Sequence, residues 1–206
     1  MSGHMPRPAG EDDIGWVTGL LALTYRNSPV LRWALPSDDI RDALAGYLVR
    51  PIVEYALVRG HVDVVDGLAA AVWTPSGQPL PPAHPQEWET MWGEGTLANL
   101  PLLHDILTTR RPPGRDYLAL LAVAGTARGG GIGTALLAHH HAYLDQHAVT
   151  GYVEATGDTT GFYRHAGYAA DGDPIRLPCG GPVLHPMART PSAVSPSAAT
   201  GAKCVR

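Results

Sequence analysis

Tyr117-Leu118-Ala119-Leu120-Leu121-Ala122-Val123-Ala124-Gly125-Thr126-Ala127-Arg128-Gly129-Gly130-Gly131-Ile132-Gly133-Thr134-Ala135-Leu136-Leu137 is the stretch whose reading decides the fold. Residues 117–123 form an apolar run the length of a buried strand. After Arg128, four of the next five positions are glycine, and a helical pattern follows with Leu136, Leu137, Tyr143 and Leu144 at core spacing. A strand, a glycine-rich turn and a helix start make a seat for an anion. Glycine lets the backbone come close, the unpaired N–H groups of the first turn face outward, and the macrodipole favours negative charge. Arg128 adds a full positive charge at the edge. The combination predicts a site for a pyrophosphate.

Three kinds of pyrophosphate site are distinguishable. A Walker loop needs Gly-Lys followed by Ser or Thr, and the segment has no lysine. A dinucleotide fingerprint comes closer, because Gly129-x-Gly131 and Gly131-x-Gly133 both open it and Glu154 follows Gly133 by 21 positions. Its third small position is missing, however, and only one strand-helix-strand unit follows the motif. The pattern that remains is R-x-x-G-x-G, met by Arg128, Gly131 and Gly133.

From Val123 to Gly133 the chain resembles the acetyl-coenzyme A motif of the GNAT acetyltransferases, with Gly125 where proline is more usual. Downstream, Val153-Glu154-Ala155-Thr156 and Gly161-Phe162-Tyr163-Arg164-His165-Ala166-Gly167-Tyr168 are similar to the strand and the FYxxxGF segment that close the same site. Ala70-Ala71-Val72-Trp73-Thr74-Pro75 and the segments Gly181-Pro182 and Met187-Ala188-Arg189 look like the corresponding parts of the puromycin N-acetyltransferase family. The resemblance covers residues 10–190. It implies an α/β (α+β) GNAT fold: a mixed, mostly antiparallel sheet with a central splayed parallel strand pair, flanked by helices.

For the site, the resemblance implies acetyl-coenzyme A as co-substrate and no metal. The coenzyme is expected on Leu121, Ala122, Val123, Arg128, Gly129, Gly130, Gly131, Ile132, Gly133, Thr134, Thr160 and Tyr163. The backbone N–H of Val123 is the implied donor to the oxyanion of a tetrahedral intermediate, and the Tyr163 phenol the implied acid for the leaving thiolate. A packed aromatic beside Phe162 is the plainer reading of Tyr163. No acid stands on residues 118–123, which leaves Glu154 as the candidate base, acting directly or through water, with a structural carboxylate as the equal alternative. Asp116 and His185 are weaker bases. Trp33, Trp73 and His185 are the candidate acceptor contacts, although a tryptophan packing a loop onto the core weighs more for Trp33. The turn at 157–160 lacks the asparagine usual in relatives, and Thr160 or Asp158 takes its place.

The bulk composition agrees with one domain of ordinary size. The chain has 206 residues, 45% hydrophobic and 17% charged, with a net charge of −4. That balance argues against disorder and against nucleic acid as a partner. No run of about 18 apolar residues and no signal peptide stands in the sequence, so a soluble cytoplasmic protein with no membrane partner is expected. Cys179 and Cys204 have no metal-like spacing and read as free thiols. Residues 1–9 read as an N-terminal extension or cloning scar. The Ser-, Ala- and Pro-rich residues 191–206 read as a disordered tail.

Along the chain, Ile14, Val17, Leu20, Leu21 and Tyr25 share one face of a helix over residues 11–25. Asn27-Ser28-Pro29 breaks it. A second helix spans 38–48, with Pro51 interrupting or restarting it and residues 52–58 continuing. Residues 61–65 and 68–73 are two strands joined at Asp66-Gly67. Residues 78–85 are a proline-rich loop, and 87–107 one or two helices. Arg110 and Arg111 read as solvated turn residues, with coenzyme phosphate as their alternative partner. Helix 133–147 carries His139-His140-His141, which point about 100° apart and cannot jointly clasp one metal; a surface or partly buried face is expected. Residues 152–155, 175–177 and 183–187 complete the strands.

These features predict an acetyl-coenzyme A-dependent N-acetyltransferase acting on a small amine such as an antibiotic or metabolite, as monomer or homodimer. A protein or peptide N-acetyltransferase of the same fold is one alternative. A catalytically silent acyl-coenzyme A-binding sensor is the other.

Overall fold

The apolar face read over residues 14–25 folds as helix α1, Ile14–Tyr25, after one 3-10 turn at Glu11–Asp13. The structure is a computed structural model and describes residues 5–75, 97 and 99–192. Ser28-Pro29 ends α1 but also starts a short helix, α2, Pro29–Ala34, which the sequence reading missed. The Ser28 side chain accepts from the Leu31 N–H at 3.1 Å, and Pro29 occupies the first turn, where its missing N–H costs nothing. Helix α3, Asp38–Arg59, then runs unbroken through Pro51. An internal proline costs about 3 kcal/mol. Val49, Val53 and Ala56 on either side bury in one core, so tertiary packing holds the helix together across it.

Strand β1 is Arg7–Pro8, and β2, His61–Val65, and β3, Ala69–Pro75, form the expected hairpin, with Gly67 at φ +66° in the turn. Helix α4, Leu100–Arg110, leads to strand β4, Asp116–Val123. The glycine loop and helix α5, Ile132–His147, follow, then strand β5, Gly151–Thr156, and helix α6, Thr160–His165. Strands β6, Ala169–Ala170, β7, Ile175–Arg176, and β8, Val183–Arg189, close the fold. The proline-rich loop and the tryptophan-bearing stretch read over 78–96 lie outside the described residues, as does the tail from 193 onward.

The eight strands form one sheet in the order β1-β2-β3-β4-β5-β8-β6, with β7 also on β8. All pairings are antiparallel except β4 with β5. The mixed α/β architecture with one central parallel pair is therefore as the resemblance implied. One face of the sheet packs Leu118, Val153, Ala155 and Met187 against Leu136, Leu137 of α5 and Tyr163 of α6. The other packs Val62, Val64, Ala70, Val72, Leu120 and Ala122 against Val17, Leu21, Val49 and Val53 of α1 and α3.

Within β4 the register slips by one. Trp73 pairs with Leu118 but Val72 with Leu120, so Ala119 is an extra residue with no partner on β3. Such a bulge bends the strand and sharpens its twist. Leu118 and Leu121 consequently face the same side of the sheet, three positions apart. The parallel ladder to β5 stops at the bulge: only Asp116–Gly151 and Tyr117–Tyr152 pair. Beyond them β4 and β5 diverge into a fork.

The histidine triplet forms a partly buried face, one of the two outcomes expected for it. His140 is 2% exposed, stacked on Trp73 at 4.0 Å, with Nε2 3.1 Å from Asp116 and Nδ1 3.3 Å from Asp63. His141 is buried against the Tyr168 hydroxyl at 3.3 Å; only His139 reaches solvent. Both belong to the stripe set by Leu137 and Leu144, three and four positions away. Burial opposes the charge on His140, but the carboxylates of Asp116 and Asp63 outweigh it and raise its pKa. Burial and the nearby Arg189 and His140 charges push His141 down to about 4. His61, beside His140, is lowered by burial as well.

The two shifts act in different pH windows. A histidine raised on folding stabilises fully below its unfolded pKa, about 6.5, and that contribution fades as pH climbs through the folded value. A histidine lowered on folding stabilises above about 6.5 and loses that as pH falls toward its folded value. Melting temperatures measured from pH 4.5 to 8.5 should therefore peak near 6.5. His140→Gln should flatten the alkaline fall, and His141→Gln the acid rise. An alkaline fall unchanged in His140→Gln would show that this imidazole carries no charge in the folded protein.

Candidate functional site

The fork exposes one edge of β4. Ala124 N–H donates to the Leu68 carbonyl of the β2–β3 turn at 2.7 Å, so alternation turns the N–H and C=O of Val123 and Leu121 away from β3 and toward the fork. These are strand groups whose usual partner strand has left. Arg128 Nε donates to the Val123 carbonyl at 3.1 Å. The Tyr25 hydroxyl accepts from Leu121 N–H at 3.0 Å and lies 3.4 Å from the Leu121 carbonyl.

The outer end of that edge runs into the glycine loop. Gly129 and Gly131 take φ +79° and +77°, a region in which a side chain is strained, and neither has another atom within 4 Å of where a Cβ would stand. Gly131 caps α5 without any side-chain hydrogen bond, and the first helical bond recorded there runs from Ala135 N–H to Gly131. The first-turn amides of Ile132, Gly133 and Thr134 thus have no acceptor within the helix, and the exposed Arg128 stands just before the loop. An open, positively polarised cradle in line with a free strand edge fits a carrier with an anionic diphosphate at one end and amide groups along its arm. Gly133 is closer packed: a Cβ there would meet Phe162 and Val123 at 3.4 Å.

Tyr163 stands on α6 in the core beside the fork, edge-on to Phe162 and Tyr168. Burial, then the neighbouring Tyr25 and Tyr168 phenols, push its pKa well above 10, so it is protonated at neutral pH. Thr160 begins α6 and donates to the Gly157 carbonyl at 3.0 Å.

Glu154 is not free. Arg111 Nε lies 3.2 and 3.3 Å from its two carboxylate oxygens and Arg111 Nη2 3.1 Å from one of them; the side chains are 8% and 2% exposed. Arg111 also donates to the Tyr117 hydroxyl at 2.5 Å, and its guanidinium lies 3.6 Å over the Tyr117 ring. Arg111 is therefore neither a solvated turn residue nor a phosphate ligand, as the sequence had suggested. It is the buried counter-ion at the root of the fork, where β4 and β5 still pair. Burial opposes its charge, yet Tyr117 and Glu154 raise its pKa overall.

The three expected acceptor contacts do not meet. Trp73 is fully buried beneath His140 and has no surface to offer. Trp33 packs in a third core cluster with Leu35, Leu177 and Leu184, and its Nε1 donates to the Pro178 carbonyl at 2.9 Å. His185 pairs with Ala155, on the face opposite Glu154, and lines a cavity of about 150 Å³ with Thr160, Arg164 and Met187. Tyr25 and Arg111 are the site residues that sequence reasoning did not find. Tyr25 ends an apolar stripe with a hydroxyl that needs a partner, which was the available signal. Among the described residues no group of His, Cys, Asp and Glu side chains could hold a metal, and no helix is long and apolar enough to cross a membrane.

Comparison with known proteins agrees with this geometry. Residues 106–190 match the acetyltransferase (GNAT) domain family. A Corynebacterium glutamicum structure described as histone acetyltransferase HPA2 and related acetyltransferase is 24% identical, with a TM-score of 0.64 over 91% of this chain and 96% of that one. The polyamine N-acetyltransferase of Drosophila melanogaster is 17% identical, with a TM-score of 0.62 over 90% and 99%. An agmatine N-acetyltransferase is 16% identical, with a TM-score of 0.61 over 90% and 98%. These are likenesses of fold. No curated protein matches the sequence.

The Arg111–Glu154 pair makes a prediction of its own. Removing one partner leaves an uncompensated buried charge, which costs about 3–5 kcal/mol. Arg111→Met should lose that much stability in urea unfolding. Arg111→Met with Glu154→Gln should recover a large part. Equal losses in the single and double variants would contradict a buried ion pair.

Proposed function

We propose that this chain, which carries a GNAT acetyltransferase domain over residues 106–190, transfers the acetyl group of acetyl-coenzyme A to a primary amine of a small molecule. The observation that carries this reading is the continuity of the β4 edge that β5 leaves behind with the glycine start of α5, which has no side-chain cap. Bound acetyl-coenzyme A would supply an acyl carbonyl activated as a thioester. Residues 10–190 would form the catalytic unit, in the cytoplasm.

In this reading each residue takes a part that its placement supports. Arg128 and the amides of Gly129, Gly130, Gly131, Ile132, Gly133 and Thr134 hold the diphosphate, by charge and by orphan N–H groups. Leu121, Ala122 and Val123 line the arm from β4, where Tyr25 holds the Leu121 groups and Arg128 the Val123 carbonyl and the Val123 N–H is left toward the fork, and Thr160 borders the arm from α6. Val123 N–H donates to the acyl oxygen as negative charge gathers there; a fixed amide in a dry cleft does this without reorganising. Tyr163, protonated because it is buried, gives its proton to the departing sulfur. The acceptor must arrive as a neutral amine. Glu154 is gripped by Arg111 and serves to anchor the fork, so the amine loses its proton to solvent. His185 and Trp33 border the loops through which an acceptor enters, while the buried Trp73 takes no part.

The acceptor classes divide by experiment. The Drosophila relative is named for polyamines, and another solved neighbour, from Brucella melitensis, is described as a ribosomal-protein-alanine N-acetyltransferase. A thiol-release assay with acetyl-coenzyme A should show turnover with small amines, among them polyamines and amine-bearing antibiotics, and little with lysine peptides. Peptide-only turnover would move the protein to the protein-acetylating class. Coenzyme binding without turnover on any amine would make it a sensor. Tyr163→Phe should lower kcat at least about tenfold with coenzyme affinity kept; unchanged turnover would remove the acid role. Gly131→Val, which forces a branched side chain to φ +77°, should weaken coenzyme binding by at least about tenfold.

A further inference from the structure

Three main-chain groups on the β4 edge are already taken, on two residues and in two different ways. The Val123 carbonyl is held by Arg128, an exposed side chain at the mouth of the fork that is free to swing into solvent. Leu121, one rung further in, has its N–H and its C=O both engaged by the Tyr25 hydroxyl. Tyr25 is the last residue of α1, and its ring packs with the apolar side chains of the α1 and α3 face. Inward of Leu121 comes the unpaired Ala119, and then the closed ladder at Tyr117 and Tyr152. A carrier seated with its diphosphate on the glycine loop, its arm running inward along Val123, brings its acyl end to the level of Leu121.

Tyr25 stands across that end. We propose that Tyr25 is the end wall of the acyl subsite and restricts the donor to short acyl groups, acetyl and propionyl. This inference rests on the acyl-carrier reading above and adds the residue that sets donor length. The wall is polar-locked as well as bulky. A longer acyl tail would have to displace the ring, and displacing it strips the partner from a strand N–H and a carbonyl in a water-poor cleft, where unpaired polar groups are costly. An apolar residue at this place would yield by changing rotamer alone. The other phenol in the region, Tyr163, enters from the opposite face of the sheet and leaves the end of the fork to Tyr25.

The test is affinity along a donor series. Acetyl-, propionyl-, butyryl- and hexanoyl-coenzyme A are titrated calorimetrically into the whole protein, with no acceptor present. The wild type should lose at least about tenfold in affinity between acetyl and butyryl, since a single surplus methylene in a tight pocket is worth roughly that much. Tyr25→Ala should erase or invert the loss. Tyr25→Phe keeps the ring but loses the lock, and should discriminate less than the wild type and more than Tyr25→Ala. Should Tyr25→Ala not fold, Tyr25→Leu, shorter than the ring but still apolar, takes its place with the same expectation. Equal wild-type affinity for all four donors overturns the proposal, as does a shortened variant that repeats the wild-type series. Wild-type protein that binds none of the four overturns the carrier site and this wall together. Binding of acetyl-coenzyme A with an unaltered series in the variants overturns the wall alone.

Discussion

Ala119 has no partner on β3, and the site exists because of it. A regular β4 would continue its parallel ladder with β5 to the end, and every N–H and C=O on that side would be spent inside the sheet. The extra residue bends β4 after Tyr117, so the last rungs of the strand leave β5 behind. It also flips the side-chain phase. Leu121 and Val123 therefore face α5 and α6, while Leu120 and Ala122 face α1 and α3. A single inserted residue thus frees a strand edge and aims it at the first turn of α5.

Opening a sheet in its middle exposes backbone that must be stabilised elsewhere, and buried charged side chains gather there. The Arg111–Glu154 pair sits where the two strands part, with Tyr117 beneath the guanidinium and Tyr152 beside it. On the other flank of β4, Asp116 meets His140, which in turn meets Asp63 of β2. Both ends of the Asp116–Tyr117 segment are thereby tied, one toward α4 and one toward α5. A buried ion pair contributes little net stability against an apolar packing of equal volume. Its use here is positional, since carboxylate and guanidinium meet at one geometry only.

Sequence reasoning saw the elements and missed the joints. The apolar run of β4, the glycine start of α5 and the hairpin at Gly67 each leave a local mark, and each stands where it was read. Ala119 looks like any other residue of its run, so the bulge left none. Arg111 and Glu154 are 43 residues apart, and Tyr25 and Leu121 are 96 apart; no periodicity carries information over such distances. His140 is legible in part. Its place in the stripe of Leu136, Leu137 and Leu144 marks a buried side of the helix, while its contacts to Asp63 and Asp116 leave no local mark. Trp73 shows the converse, a residue taken over from a resemblance that this fold uses as a floor for His140. The parallel character of the β4–β5 pair also came from resemblance, because alternation alone does not distinguish parallel from antiparallel neighbours.

The borders of the sheet carry one more consequence. On one side it ends in β1, two residues long, where Pro8 has no N–H to give and the Arg7 guanidinium is fastened to Asp13 and Asp66. On the other it ends in β6, just Ala169–Ala170. Two such stubs offer a passing strand almost nothing to register on, and a proline and a tethered charge repel one actively. Among the described residues, the strand edge left without a neighbouring strand at β4 lies inside the sheet rather than at its rim. Colloidal stability and ligand capture are thus separated in space: the open strand edge lies between β4 and β5, in the middle of the sheet, and not on an outer strand.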